Sequence, residues 1–387
     1  MFNACKTGLR ALAAALLFAV APAHAQELFE TKAKQAFMVD GETGTILFSK
    51  DPDALIPPAS LAKMMTMEVV FNGLKQGRLS LEDPFYISEH AWKDGGSGSG
   101  GSTMFAQVKS SIRLEDLIQG VVIQSANDGA IAIAEGIAGS EANFATLMTE
   151  RAREIGLTNS VFRNPTGLPA EGQVVSVREL AKLGRHIWQT YPDFYLYYGK
   201  REFTWNKITQ KNRNPLLGMD IGADGMKTGF TEASGYAIVG SVAREGRRLF
   251  VALSGMATEK ERAEEARKIL DWGMRAFSRK QLFAEGAIVG EARVYGGEKR
   301  GVKLSAKGPV SVFVPITNTD RLKARIVYEG PVEAPISKGM PVGSLKLWLG
   351  DTLSAETALF AAEDVAEGPL HLRAFDALQE LLIGWMR

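Results

Sequence analysis

Two apolar-rich runs, 35–40 and 45–49, flank Gly41-Glu42-Thr43-Gly44, and this pattern predicts a β-hairpin. Pro57-Pro58 then interrupts the chain. From Ser60 to about Lys75 the pattern turns helical. Met64, Met65, Met67, Val69, Val70, Phe71 and Leu74 cover nearly every side, which predicts a buried helix with Ser60 at or near its N-terminus. Residues 94–102 are rich in Gly and Ser. No Gly-Lys-Ser/Thr follows them, so they read as a flexible surface loop rather than a phosphate cradle. Helical patterns over 114–124 and 126–138 flank Ser125, and further helices are expected over 142–155 and 177–189. The stretch 224–255 looks extended, with strands at 236–243 and 248–254 joined by Arg244-Glu245-Gly246-Arg247. A helix over 259–277 carries Glu and Arg at helical spacing. Strands, then helices, then strands and a closing helix predict an α+β fold. Its antiparallel sheet is covered by helices, and an all-helical region is inserted between its strands.

Beyond residue 282 the pattern changes again. Short alternating runs at 292–295, 310–314, 324–328 and 344–348 are separated by Gly, Pro and Asn/Asp turns, so a small all-β domain is expected over 282–367. The last twenty residues, 368–387, turn amphipathic. Phe375, Leu378, Leu381, Leu382, Trp385 and Met386 fall on one side, while Asp376, Gln379 and Glu380 fall on the other. This segment is too short and too polar to span a bilayer and reads as an interfacial, membrane-anchoring helix.

The opposite end also carries an address. Lys6 and Arg10 precede an apolar stretch over 11–21 and then Ala23-His24-Ala25, the order of a secretory signal, so cleavage is expected after Ala25. The expected organisation is a signal at 1–25, a catalytic domain at 26–281, the all-β domain and the terminal helix. Cys5, the only cysteine, leaves with the signal, which excludes disulfides, cysteine metal sites and a cysteine nucleophile from the exported chain. Hydrophobic residues make up 45% of the 387, enough for a sizeable core. The formal net charge of +1 gives no sign of a nucleic-acid partner.

A serine hydrolase needs a group that takes the hydroxyl proton. After the signal only His90, His186 and His371 remain, and His186 sits beside Ile187 and Trp188, where a structural role is expected. The chain has no Gly-x-Ser-x-Gly elbow and no His-Glu-x-x-His metal motif. Lysine is the alternative base. Residues i and i+3 share a helix face, so Lys63 is set to reach the Ser60 hydroxyl. Such a pair arises easily by chance. Its company is more specific: Ser125-Ala126-Asn127 at a helix junction, and Lys227-Thr228-Gly229 at the start of the strand-rich stretch.

Ser-x-x-Lys, Ser-x-Asn and Lys-Thr-Gly in this order resemble the motifs of the penicillin-recognising serine enzymes, with their β-lactamase/transpeptidase-like domain. Within that superfamily the chain is most similar to the low-molecular-mass D-alanyl-D-alanine carboxypeptidases, along its whole length after the signal. The likeness includes the segments 164–172 and 211–217, the added β-domain and the terminal helix. The resemblance implies hydrolysis of the terminal D-Ala–D-Ala bond of peptidoglycan pentapeptides without metal or cofactor. It also implies inhibition by β-lactams, and residence in the periplasm on the outer face of the inner membrane.

The site residues it implies are Ser60 as nucleophile, Lys63 as base, Ser125 as proton relay and Asn127 as a holder of Lys63 or substrate. Lys227 and Thr228 would take the substrate carboxylate. Gly229 would let the strand come close, and the N–H groups of Ser60 and Phe230 would form the oxyanion hole. Arg262 is a further carboxylate-side candidate. Lysine normally titrates near ~10.4, so a base at Lys63 must be depressed; burial and the nearby charge of Lys227 are the expected causes. Two positions depart from the family: Phe230 follows Lys-Thr-Gly where some relatives carry histidine, and Ala126 stands where glycine is frequent. Glu154 and Glu171 lie in the stretch where class A β-lactamases keep a deacylating glutamate, but not in its Glu-x-x-Leu-Asn context, which predicts slow release of a bound β-lactam. A β-lactamase, a D,D-endopeptidase with the same machinery, and a catalytically idle envelope-binding protein remain the alternatives.

Overall fold

The computed structural model describes residues 29–317, 322–371 and 373–374. The expected signal at 1–25 and the apolar face of the expected terminal helix, from Phe375 onward, lie outside the described residues. The chain opens with the hairpin β1 (Gln35–Asp40) and β2 (Ile46–Lys50), followed by helix α1 (Ala62–Lys75). Then come β3 (Pro84–Tyr86), α2 (Glu89–Gly95), β4 (Ser111–Arg113), α3 (Leu114–Gln119), α4 (Asn127–Ala138), α5 (Glu141–Glu154), α6 (Val177–Thr190) and α7 (Pro192–Tyr195). A short hairpin, β5 (Glu202–Trp205) and β6 (Ile208–Lys211), leads to three long strands, β7 (Ala223–Thr231), β8 (Gly235–Arg244) and β9 (Arg247–Met256), and to helix α8 (Glu259–Arg275).

The first and last groups of strands meet in one five-stranded antiparallel sheet of order β2-β1-β9-β8-β7. Successive side chains of a strand point to opposite faces, and each face takes its own helix. Phe250 and Val239 meet α6 at Gly184, whereas the neighbouring Leu249 meets α8 at Gly273. Both crossings use a glycine because the side chains of the sheet occupy the space of a Cβ. The chain between β2 and β7 forms the helical region around α1. Met64, Met65, Met67, Val70 and Phe71 are fully buried there, as expected from a helix apolar on nearly every side. The polar exception far from its N-terminus is Glu68. It accepts hydrogen bonds from Arg151 Nε and the Tyr191 hydroxyl, both at 2.9 Å, and lies 3.4 Å from His186 Nε2. His186 is therefore part of a buried structural network.

The all-β region comprises β10 (Phe277–Phe283), β11 (Ile288–Tyr295), β12 (Gly301–Ser305), β13 (Val310–Pro315), β14 (Leu322–Tyr328), β15 (Val332–Glu333), β16 (Pro341–Leu349) and β17 (Thr352–Ala361). Six of these form a sheet of order β14-β16-β17-β12-β11-β15, and β10 pairs with β13. The region is fixed to the first one through the β1–β2 hairpin. Phe313 N donates to Thr45 Oγ1 at 3.2 Å. The Arg247 guanidinium lies 3.9 Å from the Phe313 ring centroid while donating to the carbonyls of Gly273 and Met274.

Three expectations need correction. The helix expected over 114–124 is α only to Gln119. It then widens into a π turn, Gly120–Gln124, that ends with Ser125 in the left-handed region at φ 68°. A periodic apolar pattern does not separate these two windings. The glycine-rich segment expected as a flexible loop contains the end of α2 and a 3-10 turn, Ser97–Ser99. Gly95 is buried against the backbone of Asn127 and Asp128, and Asn127 N donates to Ser102 O at 2.7 Å. Finally, α8 stops at Arg275, and the boundary expected at 282 falls inside β10, whose Ser278, Arg279, Lys280 and Gln281 are exposed and show no apolar alternation.

The Gly184 crossing sets how closely α6 lies on the sheet. A Cβ there would sit 2.8 Å from Met226 Sδ and 3.3 Å from Val239 Cγ1. Gly184→Val is expected to cost about 2 kcal/mol by overpacking. The measurement is the urea midpoint at unchanged slope, and an unshifted midpoint would show that the crossing is not tight.

Candidate active site

The site forms where three separate stretches converge on the start of α1. After Pro57-Pro58 the chain makes a 3-10 turn, Ala59–Leu61, and passes directly into α1, so Ser60 stands one turn ahead of Lys63. Two glycines let other segments reach this turn. Gly167, at φ 79°, packs its Cα on the carbonyl of Ala59 where a Cβ would collide with that oxygen. Gly229 in β7 lies so close that an added Cβ would be 3.1 Å from Ala59 Cβ and 3.3 Å from Ser60 N.

Lys63 is 1% exposed. Its Nζ lies 3.2 Å from Ser60 Oγ, 2.7 Å from Asn127 Oδ1 and 2.6 Å from the Thr166 carbonyl. Two of these neighbours are carbonyl-type oxygens and accept only. A neutral amine fits this set: its two N–H bonds go to Asn127 and Thr166, and its lone pair faces the Ser60 hydroxyl. The electrostatics agree. Burial, and then the positive charge of Arg213, push the Lys63 pKa down to about 7, against an opposing pull from Asp128. Arg213 is thus a further cation beside the expected neighbour Lys227, whose own charge and that of Lys63 repel each other. No motif marks Arg213, which sits in the 211–217 segment with its backbone N–H on Ile123 O at 3.2 Å.

The second motif is held by Asp128, which is fully buried. Its carboxylate accepts from Thr103 Oγ1 at 2.6 Å, Ala106 N at 3.0 Å, Met104 N at 3.1 Å and Gly129 N at 3.0 Å. This pins the 103–106 segment to the start of α4, where Asn127 is the first residue. The π turn and the left-handed backbone at Ser125 then set this serine beside the helix start. Its Oγ is buried and has no hydrogen-bond partner among the described residues. Such an orphan hydroxyl is costly in a fold and free for a reacting group.

The third motif lies on β7, whose one sheet neighbour among the described residues is β8. Lys227 is 3% exposed and donates to Thr228 O at 3.1 Å. Burial, then the charges of Lys63, Arg213 and Arg262, hold its pKa well below that of an ordinary lysine. Arg262 in α8 is equally buried and donates to Glu259 Oε1 at 2.7 Å, while its Nε has no partner among the described residues. Burial also lowers the pKa of Arg262 and of Arg213. Lys227, Arg213 and Arg262 thus lie near one another with more positive charge than the carboxylates beside them offset. An anionic ligand would relieve this imbalance.

The other expected residues sort clearly. Thr228 is buried in β7, and Phe230 is half exposed with its ring tilted by 35° against Tyr236 at a centroid distance of 4.3 Å. His90 is bound to Asp94 and Glu141 at 2.6 and 2.8 Å. Glu154 pairs with Arg151, and Glu171 is exposed. The segment that carries Glu171 thus presents Lys63 with a backbone carbonyl, Thr166 O, and not with a carboxylate. Asn164 shapes that segment by accepting from Thr166 Oγ1 at 3.0 Å and Gly167 N at 2.7 Å. Among the described residues no cluster of three or more His, Cys, Asp or Glu is placed to hold a metal, and no helix is long and apolar enough to cross a membrane.

Residues 20–257 match the family described as D-alanyl-D-alanine carboxypeptidase, peptidase S11, and residues 277–367 match the penicillin-binding protein 5 C-terminal domain. The chain is 35% identical to the D-alanyl-D-alanine carboxypeptidase DacC of Escherichia coli K12, over 97% of both chains. It is 36% identical to the D-alanyl-D-alanine carboxypeptidase DacA of Haemophilus influenzae, covering 88% of this chain and 87% of that one. Among solved structures, penicillin-binding protein 5 from Haemophilus influenzae superposes with a TM-score of 0.74 at 36% identity, over 87% of this chain and 98% of the other. A part-buried serine beside a buried lysine on this fold and these two domain matches agree, and the chain belongs to the peptidase S11 family of D-alanyl-D-alanine carboxypeptidases.

Proposed function

We propose that this chain removes the terminal D-Ala from peptidoglycan pentapeptides through an ester on Ser60, and that β-lactams acylate the same serine. The observation that carries the reading is the Lys63 amine, buried between Asn127 Oδ1 and Thr166 O and 3.2 Å from Ser60 Oγ. Lys63 takes the Ser60 proton as Oγ attacks the carbonyl of the penultimate D-Ala. The N–H groups of Ser60 and Phe230 receive the oxyanion. Ser125, whose hydroxyl is otherwise unengaged, carries the proton from Lys63 to the departing amine. Lys227, Thr228, Arg262 and Arg213 hold the free carboxylate of the terminal residue, and the bound anion restores the charge that burial takes from Lys227. Water then attacks the ester as Lys63 takes its proton, and Lys63 passes that proton to Ser60 Oγ as the acyl group leaves, which restores the hydroxyl and the neutral amine.

A β-lactam follows the first half of this path, but its amine stays tethered. The 164–172 segment offers a backbone carbonyl beside Lys63, which favours slow hydrolysis and disfavours the β-lactamase reading. Expected location is the periplasm, with peripheral attachment to the outer face of the inner membrane through the helix at 368–387.

Incubation with labelled penicillin and with a D-Ala–D-Ala peptide tests the whole reading. A long-lived adduct on Ser60 and release of D-Ala are expected, and Lys63→Ala should slow both by about 10²–10⁴-fold. Rapid penicillin turnover without D-Ala would instead mean a β-lactamase, and no adduct would leave an idle binding protein.

The pH profile is a separate check. Only neutral Lys63 accepts the proton, so acylation should rise through pH about 7. Arg213 depresses that pKa, so Arg213→Gln should move the acidic limb to higher pH; a limb that stays in place would remove Arg213 from this role.

Truncation before Phe375 should release the protein from vesicles of anionic phospholipid without loss of D-Ala release. Continued co-sedimentation would exclude the anchor.

A further inference from the structure

Side chains alternate along β7, so its phase against β8 decides which of them reach the Ser60 turn. From Gly225 onward the ladder pairs Gly225 with Ser241, Lys227 with Val239 and Gly229 with Ala237. Opposed residues share a face. This one is the face of α6 and of the Ser60 turn, since Val239 meets Gly184 and an added Cβ on Gly229 would be 3.3 Å from Ser60 N. Upstream, Ala223 pairs with Val242. Between these pairs β7 advances two residues while β8 advances one, so Asp224 is the extra residue of a bulge. The bulge sets the phase of everything after it. If the register of Ala223 ran on without it, Lys227 would oppose Ile238 and turn to the other face of the sheet.

A clamp across three strands holds Asp224 in place. Arg248 of β9 donates through both terminal nitrogens to the Asp224 carboxylate, at 2.8 and 2.5 Å. One of these nitrogens also donates to Ser241 Oγ of β8 at 2.8 Å. The Tyr195 hydroxyl donates to the same carboxylate at 2.9 Å. Trp188 of α6 and Tyr195 flank the guanidinium, with ring centroids 5.0 and 5.3 Å away. The Arg248 and Asp224 side chains are 14% and 33% exposed, and a two-pronged pair so shielded is more directional and stronger than an open surface pair. The clamp grips the one residue that the β7–β8 ladder skips. We propose that Asp224 and Arg248 are positioning residues for Lys227: by locking the bulge they fix the strand phase that presents Lys227 to a terminal carboxylate. Asp224 lies ~10 Å along the strand from Lys227 and acts through it. The inference rests on the assignment of Lys227 to the carboxylate in the reading above and adds what keeps it there.

A pair that only stabilised the sheet would lower the amount of active enzyme and leave its choice between substrates untouched. The experiment therefore reads a ratio on the full chain and its variants. Two substrates share one acyl part: a peptide ending in D-Ala–D-Ala with its free carboxylate, and a thioester of the same acyl group whose leaving thiol carries no charge. The ratio of kcat/KM for the carboxylate substrate to that for the thioester does not depend on the fraction of active enzyme. A loss at Ser60, Lys63 or the oxyanion hole, which both substrates use, also cancels from it. Asp224→Asn removes the charge, and Arg248→Lys keeps the charge but not the fork. Each should lower the ratio by about five- to tenfold, mainly through KM, and Lys227→Ala should lower it further. Ser241→Ala removes one bond of the clamp and should lower the ratio about twofold; it carries the test if the other two clamp variants do not fold. A ratio unchanged in the clamp variants that fold, while Lys227→Ala lowers it, would overturn the inference. A ratio that Lys227→Ala leaves unchanged would instead strike the assignment of Lys227, and failure of the unaltered chain to release D-Ala would strike the carboxypeptidase reading itself.

Discussion

A lysine amine sealed from water, within reach of a serine hydroxyl, is the constraint around which the rest of this molecule is arranged. Ammonium is the stable form of lysine in water, and only a site that refuses the charge makes the amine available as a base. Refusal takes several elements at once. The apolar flank of α1 excludes solvent. Asn127 and the Thr166 carbonyl use up the N–H bonds, and Arg213 adds repulsion. Each of these comes from a different stretch of chain. The inserted helical region, the 164–172 segment and the 211–217 segment thus share one electrostatic task.

The same arrangement carries a liability. Lys63, Lys227 and Arg262 are buried close together, and uncompensated buried charge is expensive. Asp128 and Glu259 offset part of it, and the depressed pKa of Lys227 relieves more. On the proposed reading an anion offsets what remains, and a site of this kind would favour a terminal carboxylate over an internal peptide bond.

Much of this was legible beforehand, and for identifiable reasons. The hairpin, the buried α1, the extended stretch before α8 and the all-β region have the periodicities of their elements. Ser60 and Lys63 stood out because their spacing is one helical turn, and Ser125, Asn127 and Lys227 because they stand in short motifs. The π turn before Ser125 was hidden, since Val121, Val122 and Ile123 suit either winding. β10 was hidden by its exposed polar middle, and the glycine-rich segment by a composition that suits free loops and close packing alike. Arg213 was invisible as a lone arginine in a connecting segment. Its importance lies in distance to Lys63, which no pattern along the chain encodes. The role of Thr166 was equally out of reach, because it acts through its carbonyl and any residue supplies one.

The close approach at Gly167 has a consequence for how such a protein could change. Rapid destruction of β-lactams asks for a carboxylate placed to activate water beside the acyl-serine. The 164–172 segment already touches Lys63 through the Thr166 carbonyl. Yet at Gly167 even one added carbon runs into the Ala59 carbonyl, in the same turn that carries Ser60. At Thr166 the side chain is committed to Asn164, and the carbonyl to Lys63. A single substitution at either position that supplied the missing acid would therefore disturb the nucleophile or its base. Hydrolytic resistance by this route requires rebuilding the segment as a whole, and point mutation meets a steric barrier before it meets a chemical one.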